Sequence, residues 1–318
     1  MMMNEQHPNN NAMMNQQQAQ QQAQQQQPAL TFSHALRHAM THPVDPTMVL
    51  SDQERHWALE LKRAVTQSER LDLKRPLSDL ELTQHAMIAR GNVIEALVRI
   101  EGMERFRREY DIQDSLEQGM YFIRQFMKQQ PGYILHFDVN PQTYEAVMVS
   151  DSAAFSQRSA FGENTSENAW RICVASIYYY HFALLPTLAT MRRGVSATVE
   201  CDGVGWHNFR VEYVSRLFEE MFSYLPVKFL ELRAYNTSLV ANLLFSMARP
   251  FMSASMRKSV QLGHRIEGSD SDTEGPRRLS EFYLQPNLEM AQHRILHQFQ
   301  TFLSIRLYHE KNFRLCCA

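Results

Sequence analysis

The sequence reads as an α/β protein: a mixed sheet flanked by helices and preceded by a small helical bundle. Two observations carry that reading. Between Val195 and Gly263, short apolar runs of strand length alternate with stretches of helical length, the pattern of β-α-β units and a mostly parallel sheet. Between Leu50 and Arg108, apolar residues recur at helical spacing behind side chains suited to N-caps.

Residues 1–42 are expected to be a disordered tail. The first 28 or so are rich in Gln and Asn, with Gln16-Gln17-Gln18 and then Gln24 to Gln27. Such a composition lacks the apolar surface needed to offset the entropy of ordering. Residues 43–118 read as a helical bundle. Ser51 and Asp52 offer cap chemistry ahead of Trp57, Leu61 and Ala64-Val65. Ser78 with Glu81 three residues on is a capping-box pattern, followed by Leu82, Ala86, Met87 and Ala89. Gly91-Asn92 breaks that helix, and Val93, Ala96, Leu97, Ile100 and Met103 build a third.

Residues 119–268 carry the sheet. Tyr133 to Phe137 and Glu145 to Val149 flank the turn sequence Asp138-Val139-Asn140-Pro141, so a hairpin is expected. A helix covers roughly Glu167 to Met191. Strands then span Val195 to Cys201, Val227 to Ala234 and Ser259 to Gly263, with helices over Trp206 to Tyr224 and Ser238 to Met247 between them. An acidic linker follows over 269–280. Its Ser269-Asp270-Ser271-Asp272-Thr273-Glu274 sets hydroxyls before acids, as acid-directed kinases prefer. Residues 281–318 hold an amphipathic helix, with Ile295, Phe299, Phe302, Leu303 and Leu307 on one face.

Composition limits the function. Lys and Arg total 32 against 34 Asp and Glu, so bulk charge points to neither nucleic acid nor a strongly anionic partner, and any membrane contact must be local. Cys173, Cys201, Cys316 and Cys317 fit no zinc or disulfide spacing, and the terminal Cys316-Cys317-Ala318 is no prenylation box. The apolar stretch Ile172 to Leu188 contains Ser176, three tyrosines, His181 and Pro186, a buried helix rather than a membrane span. With no signal-peptide h-region in view, a reducing, cytoplasmic setting is expected.

Catalytic signatures are missing: no nucleophile elbow, Walker loop, dinucleotide fingerprint or paired-histidine zinc motif. Cys201-Asp202-Gly203-Val204-Gly205-Trp206-His207 invites comparison with a phosphatase loop, but His207 stands where the phosphate-clamping Arg is needed. Cys201 then reads as a strand-end residue and Asp202 as a cap for turn amides. The thirteen histidines are scattered, and His293 with His297 lacks an acidic co-ligand. No enzyme, metal or cofactor is expected.

The segment after Ala241 is the most informative. Pro250 ends a helix. Phe251, Met252 and Met256 then line one side of a short stretch with Arg257-Lys258 at its end, an apolar face with a basic margin. Three strings in order resemble the CRAL-TRIO lipid-binding family, whose members include cellular retinaldehyde-binding protein, α-tocopherol transfer protein and phosphatidylinositol transfer proteins. They are Arg193 to Gly203, Tyr224 to Asn236, and Arg249-Pro250-Phe251-Met252 with Val260 to Gly263. Ala89 to Ala96 is similar to the end of that family's helical N-domain, and the resemblance runs from about Asp52 to Gly268.

The resemblance implies a CRAL-TRIO-like mixed sheet as the floor of an apolar pocket, helical walls, and a helical gate. It assigns ligand contact to Tyr180, Phe182, Val199, Phe222, Leu232, Phe245, Phe251, Met252 and Met256. Arg249, Arg257 and Lys258 are assigned to a headgroup or the membrane. Inositol lipids are not specifically implied, because Arg216 stands where the inositol-binding members carry a Glu. The expected function is to bind one hydrophobic or lipid ligand and carry it between membranes, as a cytoplasmic monomer that visits membranes transiently. A module of the same fold that senses lipid or scaffolds through its tails, without transport, is the alternative.

Overall fold

A computed structural model describes residues 49–68, 71–140, 142–155, 167–206, 215–252, 254–264, 278–284 and 287–315. The Gln-rich head, the centre of the helix expected over Trp206 to Tyr224, Ser269 to Glu274 and Cys316-Cys317 lie outside these residues.

The N-terminal helices start where the cap chemistry places them. Helix α1 (Asp52–Gln67) opens on Ser51, whose Oγ accepts from Glu54 N at 3.2 Å while Ser51 N donates to the Glu54 carboxylate at 2.9 Å. Helix α2 (Asp79–Ile88) repeats the box with Ser78 and Glu81. The turn after it passes through Gly91 at φ +79°, beneath the Trp57 indole: a Cβ there would stand 2.2 Å from the ring nitrogen. Asn92 then caps α3 (Val93–Glu109), and Ser115 caps α4 (Leu116–Gln129). Leu61, Ala86, Ile100 and Phe106 from these helices share one core with Phe126, Phe137, Tyr179 and Phe299.

Five strands form a mixed sheet in the order β1-β2-β3-β4-β5. Strands β1 (Ile134–Val139) and β2 (Ala146–Asp151) make the expected hairpin. Strands β3 (Val195–Glu200), β4 (Phe229–Tyr235) and β5 (Val260–His264) follow in parallel. Between β2 and β3 the chain forms α5 (Glu167–Ala183) and α6 (Leu188–Arg193). The single helix expected to reach Met191 is thus broken. Pro186 has no N–H for the helical ladder, and Thr187 restarts the helix by accepting from Thr190 N. Helix α5 is apolar on every side, with Val174, Ala175, Tyr178, Tyr179 and Tyr180 all essentially solvent-free, as befits a central helix.

The β3–β4 connection ends in a π-helical turn, Phe218–Phe222. The β4–β5 connection comprises α7 (Leu239–Ala248), a 3-10 turn (Arg249–Phe251) and α8 (Ala254–Ser259). After β5 come α9 (Leu279–Tyr283) and α10 (Leu288–Asn312). The C-terminal helix does not offer a free apolar face. Ile295, Phe299 and Leu303 are fully buried in the chain's own core, beside α4, α5 and β1. Gly119 on α4 permits the approach, since a Cβ there would lie 2.6 Å from Leu303. Among the described residues, no helix is long and apolar enough to cross a membrane.

Candidate functional site

One face of the sheet floors an apolar cavity of about 300 Å³. The period-2 alternation of strands places Met148, Ser150 and Ser152 from β2 and its end, and Ala197, Val199 and Cys201 from β3 and its end, in the floor. Parallel pairing aligns Met148 with Ala197 and Ala197 with Leu232, so one row crosses three strands. Ile177, Tyr180 and His181 of α5 form one wall, and Leu217, Phe218 and Phe222 another. Ala241, Leu244, Phe245 and Ala248 of α7 close the third side, with Met252 and Met256 beyond the Pro250 turn.

The closing side has a small buried cluster of its own, joined to the main core through Phe222 and Phe229. Phe218, Ala248, Met252 and Met256 form their own buried cluster, with Phe222, Phe229, Phe245, Phe251 and Val260 against it. The cavity lies between this cluster and the main core. The outer face of α7 is apolar as well: Leu239, Leu243 and Met247, spaced by four, are exposed, Leu239 to 89%.

Few of the described wall residues are polar, and none of them is Arg, Lys, Asp or Glu. Tyr180 has a buried hydroxyl with no hydrogen-bond partner, and burial pushes its pKa far up. His181 Nδ1 meets the Ile177 carbonyl at 2.7 Å, so the ring donates there when Nδ1 carries the proton. Burial depresses its pKa to about 4, against the weaker opposing pull of that carbonyl. The ring packs edge-on against Phe222 and Phe229. Burial, reinforced by the Glu200 and Asp151 charges, pushes the Cys201 thiol up to about 12, which leaves it a poor nucleophile at neutral pH.

Of the nine side chains assigned to ligand contact, Tyr180, Val199, Phe222, Leu232, Phe245, Met252 and Met256 line the cavity. Phe182 and Phe251 are not among its described wall residues. Phe182 is two residues from Tyr180 on a helix buried all round, so it points about 200° away. There it stacks on Tyr178 and lies under the Arg306 guanidinium. Phe251 supports Met252 and Met256 from within the cover cluster. Arg249, Arg257 and Lys258 come together along an open surface groove with Ser246, Pro250 and Val260. A second, more polar groove carries Arg90, Lys228 and Lys258 and shares Phe218, Phe222, Phe229 and Met256 with the cavity wall.

Sequence reasoning missed two polar clusters. The first joins the N-terminal helices to α5. Arg107, buried, binds Glu81 at 2.6 Å, Glu104 at 2.7 Å and Asp114 at 3.0 Å, and Arg75 binds Glu81 and Asp114 from the other side. Burial alone would raise the Glu81 pKa, but the Arg107 and Arg75 charges overcome it and hold the carboxyl ionised. The second is a knot at the strand ends. Buried Glu200 accepts from the backbone N–H of Asp202 and Leu279, both at 2.9 Å, and from Asn236 Nδ2 at 3.1 Å. Glu200, not Asp202, therefore holds the turn amide; the Asp202 carboxylate instead faces Arg278 at 3.3 Å. Among the described residues no group of three His, Cys, Asp or Glu side chains could hold a metal ion.

No protein-family model matches this sequence, and no curated protein matches it.

Proposed function

We propose that this chain holds one lipid-like molecule in the cavity between its sheet and helix α7 and exchanges it at a membrane surface. The observation that carries the reading is the apolar cavity itself, floored by β2–β4 and covered by α7 with Met252 and Met256. Its volume of about 300 Å³ lies at the lower end of the range for small-molecule pockets. The order of the strings around Gly203, Pro226 and Pro250, which resembles the CRAL-TRIO pattern, supports the same reading. Methionine at positions 252 and 256 suits a cover that adapts to its contents.

The exchange mechanism needs no covalent step. Leu239, Leu243 and Met247 can enter the apolar margin of a bilayer, while Arg249, Arg257 and Lys258 lie near anionic headgroups. Swinging the cover would expose its inner apolar face, which a bilayer stabilises at roughly 25 cal/mol per Å². The ligand then passes between cavity and acyl chains.

Native mass spectrometry with lipid extraction tests this. The protein purified from its own cells should retain about one extractable lipid per chain. Ala197→Trp, which fills the floor of the cavity, should abolish that retention while circular dichroism stays unchanged. Equal retention by the filled variant would overturn the reading.

A further inference from the structure

We infer that the cavity's occupant is an electrically neutral lipid with one chain or one compact hydrocarbon body and a single hydrogen-bonding group, set against the Tyr180 hydroxyl. This rests on the reading of the cavity as a lipid pocket and assigns the class of lipid.

Three observations lead there. None of the described wall residues is Arg, Lys, Asp or Glu. A carboxylate or phosphate drawn inside would lose its water with no counter-charge among them, a penalty that normally keeps such groups out. Arg90, Lys228 and Lys258 are exposed along the neighbouring surface groove, and the buried Arg107 and Arg306 behind His181 are already paired with Glu81, Glu104, Asp114 and Glu310.

The second observation is the Tyr180 hydroxyl. It is buried without a partner, although its ring is fixed among Phe126, Phe137 and Phe299. Buried hydroxyls are almost always hydrogen-bonded, so an orphan on a residue of the cavity wall points to a partner that arrives when an occupant repacks that wall. A hydroxyl or carbonyl on the lipid supplies it, since phenol both donates and accepts. His181, next along the helix, offers a second neutral contact: with Nδ1 donating to Ile177 O, its Nε2 is left as an acceptor.

The third is size. A cavity of about 300 Å³ suits one chain or an isoprenoid body better than a two-chain phospholipid.

The test uses the full chain stripped of lipid, titrated near neutral pH with three radiolabelled probes of equal length: hexadecanol, hexadecane and palmitate. Hexadecanol should bind one per chain and at least about tenfold more tightly than palmitate. Tyr180→Phe should weaken hexadecanol about tenfold and leave hexadecane unchanged, which also shows that the variant folds. Palmitate binding as tight as hexadecanol would overturn the neutral class and move the polar end to the Lys258 groove. Should Tyr180→Phe not fold, equal affinity of the native protein for hexadecanol and hexadecane would overturn the assigned contact. Failure of all three probes to bind would overturn the lipid pocket itself, together with the class assigned to it.

Discussion

The guanidinium of Arg306 lies over the ring of Phe182, 4.6 Å from its centroid. Its Nε and Nη2 donate to Glu310 at 3.1 and 3.0 Å, and Nη1 donates to the Leu185 carbonyl at 3.1 Å. That carbonyl lies at the Pro186 break, so one side chain of the C-terminal helix satisfies a carbonyl that the broken helix α5 leaves without a ladder partner. Arg306→Ala takes the partner from Glu310, whose carboxyl burial already raises to about 7, so that acid takes up a proton near neutral pH, and the substitution strands the Leu185 carbonyl. The expected loss is about 1–3 kcal/mol, read from urea denaturation. Arg306→Lys should rescue little of it, because a lysine can neither stack on Phe182 nor hold the Glu310 carboxylate and the Leu185 carbonyl together in a fixed fork.

The Glu200 knot gives a second stability test. Its carboxylate ties the end of β3 to Asn236 after β4 and to Leu279, where the C-terminal region begins. Glu200→Ala strands two backbone donors and should cost about 3 kcal/mol. Glu200→Gln should cost less, since its carbonyl still accepts from one of the two backbone N–H groups, although its amide would then face the other and the Asn236 amide. The Leu279 backbone amide should exchange with deuterium faster in the alanine variant, because its carboxylate partner is lost.

Stability should fall on mild acidification. Burial lowers the His85 pKa to about 3, with Glu81 opposing and the Arg107, Arg99 and Arg306 charges assisting; burial also lowers His181 to about 4. Unfolded, both titrate near 6.5. Below that pH the unfolded chain therefore binds more protons than the folded one, and stability declines with falling pH. The decline should begin near pH 6.5 and approach about 1.4 kcal/mol per pH unit for each histidine down to about pH 4. Glu310 opposes the two histidines, because burial raises its carboxyl to about 7 and the folded chain holds a proton there that the unfolded chain takes up only near 4.5. His181→Phe should therefore lower the slope of unfolding free energy against pH by about 1.4 kcal/mol per pH unit. An unchanged slope would show that His181 is not held neutral by its surroundings.

Much of the cavity was legible, for a reason that particular residues make plain. Once Val199 and Leu232 are placed on one face of adjacent strands, alternation brings in Ala197 and Cys201. Phe245 likewise brings in Ala241 and Ala248 by helical spacing. Helix α5 defeats the same logic. It is apolar all round, so periodicity cannot tell that Tyr180 faces the cavity and Phe182 the C-terminal helix. The Glu200 knot was beyond reach for another reason. Its partners Asn236 and Leu279 lie 36 and 79 residues away. Only the sheet's strand order brings them together, and a single acid after an apolar run carries no trace of that.

The outer face of α7 supplies the last prediction. Leu239 and Leu243 are 89% and 49% exposed, so replacing both by Glu should leave folding stability within about 1 kcal/mol. Entry of these two side chains into a bilayer margin should contribute about 2 kcal/mol to membrane affinity, so Leu239→Glu/Leu243→Glu should reduce co-sedimentation with phosphatidylserine vesicles at least tenfold. Arg249→Glu/Arg257→Glu should weaken it too, but only at low salt, because exposed charges act over about one Debye length. The two effects should therefore separate when salt is raised: the leucine variant stays weak, and the arginine variant converges on the native protein. Vesicle binding indifferent to the leucine pair would mean that α7 does not meet the membrane, and the cover would have to open by another route.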